Sequence, residues 1–212
     1  MISANIASRN NELIKKGLDE LKIQAKQENI DKLILYLGTL KKWNEKINIT
    51  AIKEDEAIVI KHFLDSLSVH NEIKTAKVIL DVGTGGGFPG MVLAIFNPDK
   101  NFLLVDGVNK KITFLNEVKG KLGLKNVETY HAKVEDLKLE NLVDVIISRA
   151  FSEVTKMIKL TTHLLKNGGE FLAMKGLKVE EEIENISDQK FEIKKLAVPF
   201  LAEERNLIKI YK

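Results

Sequence analysis

Glycines crowd one short segment of the sequence, Ile79-Leu80-Asp81-Val82-Gly83-Thr84-Gly85-Gly86-Gly87-Phe88-Pro89-Gly90. Glycine accepts positive φ angles and lets a ligand lie against backbone amides at the start of a helix. Pro89 stands where a helix can begin, because its fixed φ suits a first helical turn. The segment therefore predicts a strand-to-helix turn that binds a nucleotide-like ligand. A tight turn with no ligand is the alternative.

The spacing of these glycines leaves two cofactors open. Gly85, Gly87 and Gly90 fit the dinucleotide fingerprint, and Asp106 follows Gly87 by about 20 residues, as an NAD site requires. Asp81, however, puts a carboxylate at the strand end, where it would repel a pyrophosphate and attract a cation. S-adenosylmethionine carries an ammonium and a sulfonium group and no phosphate, so Asp81 favours this cofactor. Asp106 can accept hydrogen bonds from both ribose hydroxyls.

Two patterns of hydrophobic spacing indicate which elements position these residues. Residues 1–75 carry apolar stripes at helical spacing and predict a helical extension, with Asn29 as the N-cap of its second helix. Residues 76–212 alternate strands with helices, which predicts an α/β domain with a doubly wound, mostly parallel sheet. No helix separates the last two strands, so the final strand should be antiparallel. Strands are predicted at Lys77–Val82, Asn101–Val105, Val127–Tyr130, Val143–Ser148, Gly169–Met174, Lys190–Val198 and Leu207–Tyr211.

The composition excludes several classes of protein. The 212 residues are 44% hydrophobic and 30% charged, which is typical of a globular protein and not of a disordered one. No apolar run reaches the roughly 18 residues of a membrane span, so we expect a cytoplasmic location without membrane contact. The absence of cysteine excludes disulfides, thiolate metal sites and a cysteine nucleophile. The histidines lack metal-ligand spacing, so we predict no metal; we also expect a monomer.

A parallel sheet binds its ligand outside the carboxyl ends of its strands. We therefore expect the residues at the five strand tips to meet in one pocket. These tips are Gly83–Gly87, Asp106, Val134-Glu135, Ser148-Arg149-Ala150-Phe151 and Lys175-Gly176.

Six motifs in order carry a resemblance to a known family over nearly the whole chain. They are Asn48-Ile49-Thr50-Ala51, Lys61-His62-Phe63-Leu64-Asp65-Ser66-Leu67, the glycine segment, Ile147-Ser148-Arg149-Ala150-Phe151, Lys175-Gly176 and Glu204-Arg205. The chain resembles the RsmG family, also called glucose-inhibited division protein B. The resemblance implies a class I S-adenosylmethionine-dependent methyltransferase that acts on guanine nitrogen-7 in the decoding-centre loop of 16S ribosomal RNA. It also implies cofactor contacts by Gly83, Gly85, Phe88, Asp106, Val134, Glu135 and Arg149.

The residue inventory agrees with that reaction. Methylation of a pyrimidine carbon-5 usually needs a cysteine nucleophile, which this chain lacks. Methylation of an exocyclic amine usually uses a polar residue followed by Pro-Pro-aromatic, where this chain has Ser148-Arg149-Ala150-Phe151. Guanine nitrogen-7 has a free lone pair, so its methylation needs alignment and charge management but no general base.

Three basic residues are candidates for substrate contact. The chain has only three arginines, so an arginine is expected where a two-pronged donor is needed. We assign Arg149 to the methionine carboxylate or the guanine edge, with a structural ion pair to Asp144 or another acid as the alternative. Lys175 and Arg205 would guide RNA phosphates or the target base into the pocket, although Lys175 could equally be an ordinary solvated lysine.

Two further groups of polar residues stay open at this point. His62, Asp65 and Ser66 share one helix face and form either part of the pocket or a hydrogen-bonded junction between the extension and the α/β domain. Two sets of lysines could contact RNA phosphates or simply be solvated. The first set is Lys110, Lys111, Lys119, Lys121 and Lys125; the second is Lys15, Lys16, Lys41, Lys42 and Lys46.

Two other functions compete with the methyltransferase hypothesis. An NAD-dependent dehydrogenase would need a residue that handles the proton of hydride transfer, and no histidine or tyrosine–lysine pair stands at a strand tip. A non-catalytic RNA-binding protein on a methyltransferase scaffold would bind cofactor or RNA without turnover. The small net charge of +3 further predicts that the assembled small ribosomal subunit is a better substrate than protein-free RNA.

Overall fold

The computed structural model describes residues 4–149, 151, 153–177, 179–186 and 189–212. Within these residues seven strands form one sheet in the order β3-β2-β1-β4-β5-β7-β6. The strands β1 to β5 are parallel, and β7 pairs antiparallel with both β5 and β6. The strands are β1 (Val78–Val82), β2 (Asn101–Asp106), β3 (Val127–His131), β4 (Val143–Arg149), β5 (Leu165–Lys175), β6 (Phe191–Leu196) and β7 (Arg205–Tyr211). The predicted mostly parallel sheet with an antiparallel last strand is confirmed.

Eight α-helical segments flank the sheet or precede it in the described chain. Helix α3 runs directly into a π-helix, Val59–Leu64, and then into α4, so the third predicted helix is present but is wider in its middle. None of the described helices combines the length and the apolar character that crossing a membrane requires. The helices are α1 (Ala4–Glu20), α2 (Gln27–Asn44), α3 (Asp55–Ile58), α4 (Asp65–Leu67), α5 (Gly90–Phe96), α6 (Asn109–Leu122), α7 (Val154–Thr161) and α8 (Val179–Ile183).

Both faces of the sheet are buried, because alternate residues of each strand point to opposite sides. On β1, Ile79 belongs to one hydrophobic cluster, while Leu80 belongs to the other. On β2, Phe102 and Leu103 divide in the same way. The first cluster includes residues of α1, α2, α5 and α6, and the second includes residues of α7 and α8. Helices on both faces are what the term doubly wound describes.

The N-terminal helices share the first of these clusters with the sheet. Ile14 of α1 and Leu37 of α2 are fully buried in the same cluster as Phe102 of β2. The extension is therefore packed as part of the core on that face, and the division at residue 75 stays a prediction.

One boundary prediction in the extension is wrong. The N-cap of α2 is Lys26, not Asn29. Asn29 lies one turn inside the helix, where its Oδ1 accepts a hydrogen bond from the Lys26 backbone N–H (2.9 Å) and its Nδ2 donates to the carbonyl of Ile95 (2.9 Å). The apolar stripe starts only at Ile30, so its periodicity could not mark the polar first turn.

The strand order reverses beside β1, since β2 and β3 continue on one side and β4 and β5 on the other. In open α/β sheets ligands bind at this switch point, outside the carboxyl ends of the strands. The predicted site residues follow the carboxyl ends of β1, β2, β3, β4 and β5, so the topology directs them to one edge.

Candidate functional site

A cavity of about 160 Å³ opens at the carboxyl ends of β1, β2 and β3. Four of the predicted cofactor contacts line it, namely Gly83, Asp106, Val134 and Glu135. The ring of Phe151 forms another part of its wall. The remaining lining residues are Val82, Val105, Gly107, Ala132 and Lys133.

The glycine loop between β1 and α5 requires its glycines for two physical reasons. Gly83 has a φ of +65°, and a Cβ placed there would lie 3.0 Å from the ring of Phe151. Gly87 has a φ of +88°, and a Cβ there would collide with Leu115 and Met91 at 2.8 and 2.9 Å. A side chain at either position would be strained. At Gly83 it would also reduce the space beside the cavity, and at Gly87 it would collide with the core.

Asp106 ties this loop to the end of β2. Its Oδ2 accepts a hydrogen bond from the Gly85 N–H (2.9 Å), and its Oδ1 accepts one from the Val108 N–H (2.9 Å). The Nζ of Lys111 lies 3.5 Å from Oδ2. A carboxylate has about four acceptor positions, so Asp106 retains acceptor capacity toward the cavity that it lines. Gly85 thus contributes to the site through its backbone N–H, which bonds Asp106.

Asp81 lies beneath the glycine loop and does not line the cavity. Its side chain is fully buried, and Oδ2 accepts hydrogen bonds from the Thr84 hydroxyl (2.6 Å) and the Gly90 N–H (2.8 Å). Burial raises the pKa of Asp81 from its usual 3.8 to about 6, against the lowering effect of these two hydrogen bonds. Its Oδ1 is buried and accepts no hydrogen bond within the described chain. Asp81 therefore fixes the loop, and its contact with a cofactor stays a prediction.

Phe88 connects the glycine loop to the N-terminal helices. Only 4% of it is exposed, and its ring stacks on His62 with 4.4 Å between ring centroids and on Tyr36 with 5.5 Å. The guanidinium carbon of Arg149 lies 5.1 Å from the centroid of the same ring. The Tyr36 hydroxyl also donates a hydrogen bond to the carbonyl of Gly86. The structure thus places Phe88 at a helix–loop junction, outside the cavity lining.

Arg149, at the end of β4, is held by the π-helix. Its Nη1 donates to the carbonyl of Lys61 (2.9 Å) and to Oδ2 of Asp65 (2.8 Å), and its Nη2 donates to Nδ1 of His62 (3.1 Å). Asp144, the pairing alternative named from the sequence, instead accepts hydrogen bonds from the backbone N–H groups of residues 77 and 78 and from Lys166. Asp144 is therefore wrong as the partner, and the acid that pairs with Arg149 is Asp65.

His62 is a neutral acceptor in this arrangement. Burial, assisted by the nearby Arg149 charge, lowers the pKa of His62 from 6.5 to about 3. Because a guanidinium can only donate, Nδ1 of His62 must be unprotonated and Nε2 must carry the proton. That proton is directed at Oγ1 of Thr50, which lies 2.7 Å away. The loop bearing Thr50 is itself held by Asn44, whose side chain bonds the backbone of Ile49 and Thr50.

The two other basic candidates also lie beside this group. Nε of Arg205 is 3.4 Å from Oδ1 of Asp65, and its Nη2 bonds Glu203 at 2.9 Å. Nζ of Lys175 bonds Glu182 of α8 at 2.7 Å and lies 3.4 Å from the carbonyl of Phe151. Lys175 is thus ion-paired rather than simply solvated. Phe151 links it to the cavity wall; Ala150 lies outside the described residues.

The predicted site residues therefore fall into two neighbouring groups. Gly83, Asp106, Val134 and Glu135 surround the cavity, whereas Arg149 and Arg205 meet at Asp65. His62 and Asp65 bond Arg149 across the contact between the extension and the α/β domain, while Ser66 bonds the backbone carbonyl of His62. Their part in a pocket stays a prediction. Sequence reasoning missed Tyr36, Thr50, Lys61 and Glu182. Thr50 lay in a quoted motif, but no pattern connected it to His62.

In the described part of the chain no group of three His, Asp or Glu side chains could hold a metal ion. The absence of a metal from the site stays a prediction.

Of the lysines after Asp106, Lys111 contacts Asp106 and Lys121 bonds Glu117 at 2.6 Å. Lys110 and Lys125 are exposed. Their contact with RNA also remains a prediction.

Comparison with known proteins assigns the family. A family model described as rRNA small subunit methyltransferase G matches residues 29–208. Ribosomal RNA small subunit methyltransferase G of Francisella philomiragia is 46% identical over 197 residues, covering 92% of this chain and 94% of that protein. The protein of the same name from Clostridium perfringens is 43% identical over 178 residues, covering 81% of this chain and 74% of that protein.

The solved structures agree at the level of the fold. A SAM-dependent methyltransferase from Aquifex aeolicus superposes with a TM-score of 0.58 at 18% identity, covering 82% of this chain and 97% of that one. The family match decides against the NAD-dependent dehydrogenase and confirms the resemblance found in the sequence motifs. The chain belongs to the rRNA small subunit methyltransferase G family.

Proposed function

We propose that this rRNA small subunit methyltransferase uses S-adenosylmethionine to methylate nitrogen-7 of a guanine in the decoding-centre loop of 16S rRNA. The observation that carries the cofactor assignment is the cavity at the ends of β1 to β3, with the carboxylate of Asp106 in its wall. The choice of guanine nitrogen-7 comes from the family resemblance and is supported by the chemistry of that atom, whose free lone pair reacts without a general base.

The residues present fit this cofactor. Asp106 has acceptor capacity for the ribose hydroxyls, and Val134 and Glu135 form the wall beside it, where an adenine ring would lie. The buried Oδ1 of Asp81 accepts no hydrogen bond within the described chain, and an acceptor of this kind suits an ammonium group reached through a water molecule. The Asp81 carboxylate favours a cofactor without phosphate over a dinucleotide, whereas Asp106 suits the ribose of either cofactor.

When bound, S-adenosylmethionine supplies a sulfonium methyl group, whose sulfur–carbon bond breaks as the guanine nitrogen-7 lone pair bonds to the methyl carbon. The residues of this chain then have to orient the two reactants and balance charge. His62 does not serve as a base, because its Nδ1 accepts from Arg149 and its Nε2 proton is directed at Thr50. Arg149 has donors for the methionine carboxylate or for O6 of the guanine, and nitrogen-7 itself stays free to react.

RNA would approach from the same edge of the sheet. Arg205 and Lys175 lie beside Arg149, at the ends of β7 and β5, where they can attract the phosphates that flank the target base. The lysines of α6 begin just after Asp106, so they extend this basic edge. Since the net charge is only +3, we propose that the assembled small subunit supplies part of the recognition by its shape, in the cytoplasm where ribosomes assemble.

The experiment uses S-adenosylmethionine tritiated on its methyl group and two substrates prepared from cells that lack this protein. These substrates are assembled small subunits and protein-free 16S rRNA. We expect label in the rRNA of the subunits and much less label in the free RNA. Equal labelling of both substrates would contradict the preference for the subunit. Cofactor binding without any labelling would support the non-catalytic RNA-binding alternative.

A further inference from the structure

We propose that Asp65 is a positioning residue that sets the direction of the Arg149 guanidinium group toward the reacting molecules. The inference rests on the proposed function, which gives Arg149 contact with the cofactor or the rRNA. Asp65 itself would touch neither, and it would act through Arg149.

The buried carboxylate of Asp65 lies beside two arginines from different strands. Oδ2 of Asp65 accepts a hydrogen bond from Nη1 of Arg149 at 2.8 Å, and Oδ1 lies 3.4 Å from Nε of Arg205. Arg149 ends β4 and Arg205 begins β7, and β5 lies between these two strands. The contact of Oδ1 with Arg205 is an ion pair without a hydrogen bond in the described part of the chain, and Arg205 is instead bonded by Glu203 and the Glu204 carbonyl. Asp65 thus orients Arg149 and lies beside Arg205.

The side chains of Asp65, Arg149 and Arg205 differ in their exposure to solvent. The Asp65 side chain is 2% exposed, whereas those of Arg149 and Arg205 are 18% and 22% exposed. A ligand that approaches from the solvent therefore meets the guanidinium groups and not the carboxylate. Lys61 and Glu203 bond each other beside these arginines, and Glu203 also bonds Arg205. The partly exposed guanidinium groups suit a carboxylate or phosphate ligand.

The π-helix explains how so short a segment can hold a guanidinium group. A π-helix places one more residue in each turn than an α-helix, and such turns are frequent at functional sites. Within five residues, the Lys61 carbonyl and the His62 ring of the π-helix and the Asp65 carboxylate at the start of α4 all accept hydrogen bonds from Arg149. These contacts use three of the five N–H donors of the guanidinium group. The other two donors have no partner among the residues that the structure describes, so they are available to a ligand in a direction that the first three contacts fix.

Stability alone does not account for this arrangement. A buried ion pair contributes little to folding, because removing both charges from water costs about as much as their attraction returns. A fork of donors held in one orientation, in contrast, is what alignment of two reactants requires. This difference separates a positioning role from a purely structural one and can be measured.

The first test compares Asp65→Asn with Asp144→Asn by the methylation of small ribosomal subunits. Asp144 is a matched control because it lies near the other end of β4 and bonds Lys166 and backbone N–H groups. Thermal unfolding is measured for both variants. We expect Asp65→Asn to lower kcat about 100-fold, the effect of misplaced reactants, and Asp144→Asn to change it by less than about threefold. A folded Asp65→Asn enzyme with the kcat of the wild type would overturn the proposal.

The second test asks whether Asp65 acts through Arg149. Arg149→Lys keeps the charge and loses the fork, so in that background we expect Asp65→Asn to lower kcat by no more than about threefold. A loss as large as in the wild-type background would show that Asp65 acts independently of Arg149, and the proposal would fail.

A third variant covers the case in which Asp65→Asn does not fold. Asp65→Glu keeps the buried charge but moves the carboxylate by one methylene. We expect it to unfold near the wild-type temperature and to lose about tenfold in kcat. Full activity in this variant would mean that the charge alone matters, as in a structural ion pair. Failure of the proposed function is seen separately, because the wild-type enzyme would then leave the subunits unlabelled.

Discussion

At the scale of single residues, the carboxylate of Asp106 combines two tasks. It lines the cavity, and it also accepts hydrogen bonds from Gly85 and Val108, which fix the glycine loop and the turn after β2. The proposed cofactor site thus depends on the same hydrogen bonds that hold the glycine loop and the turn after β2. We therefore expect a substitution of Asp106 to affect cofactor binding more than other properties of the protein.

Asp106→Asn tests the cofactor assignment. The amide keeps the size of the side chain but loses the charge and one acceptor oxygen, so S-adenosylmethionine affinity should fall by about 1.5–3 kcal/mol, the usual value of hydrogen bonds to a charged group. Isothermal titration calorimetry gives the affinity. Asp99→Asn is the control, because the Asp99 side chain is 76% exposed and its carboxylate lies 4.0 Å from Lys100. Unchanged affinity in Asp106→Asn would remove this residue from the site.

At the scale of elements, α2 supports the glycine loop from behind. The Tyr36 ring is fully buried and packs on Phe88, and its hydroxyl bonds the carbonyl of Gly86. The extension therefore contacts the glycine loop directly. This contact explains why the N-terminal helices and the α/β elements share one core.

Tyr36→Phe should leave the buried carbonyl of Gly86 without its partner. The expected cost is about 1–3 kcal/mol of unfolding free energy, together with weaker cofactor binding as the loop loosens. Urea unfolding and calorimetry measure the two effects. In Tyr211→Phe, which removes an exposed hydroxyl bonded to Glu192, the loss should stay within about 0.5 kcal/mol. Equal stability of the two variants would contradict the role of Tyr36.

The sequence predicts the elements better than it predicts their contacts. All seven strands, the antiparallel end of the sheet and the cavity residues Gly83 and Asp106 follow from hydrophobic period, glycine spacing and the rule that ligands bind at strand ends. The Arg149–Asp65 pair joins positions 84 residues apart, and the π-helix has no distinguishing pattern, so neither could be derived. Asp81 was assigned to the cofactor from its charge and its position at a strand end. In the structure its side chain is buried and bonds the glycine loop.

At the scale of the whole molecule, two buried groups oppose each other in the dependence of stability on pH. The pKa of Asp81 is raised from 3.8 to about 6 by burial, so folding is favoured by its protonation and stability falls as pH rises from about 4 to 6. The pKa of His62 is lowered from 6.5 to about 3 by burial, so the unfolded chain binds a proton that the folded one does not. Its contribution to stability is lost as pH falls from 6.5 toward 3.

These opposite signs can be separated with one variant of each group. Relative to the wild type, Asp81→Asn should lose stability more steeply as pH falls from 6 to 4, because the Asp81 effect no longer opposes that of His62. His62→Gln should instead gain stability relative to the wild type as pH falls from 6 to 4. For each variant, the change in unfolding free energy over this range should differ from that of the wild type by about 2–3 kcal/mol. Urea unfolding at a series of pH values provides the measurement. Parallel pH profiles for the wild type and both variants would show that these pKa shifts do not exist in the folded protein.

The proposed reaction transfers a methyl group to guanine nitrogen-7, and identification of the labelled nucleoside is its direct test. Small subunits labelled by the purified enzyme with tritiated S-adenosylmethionine are digested to nucleosides and separated by liquid chromatography with mass detection. Transfer to nitrogen-7 predicts that the label elutes with 7-methylguanosine. Label in a nucleoside methylated on an exocyclic amine or on a ring carbon would contradict it.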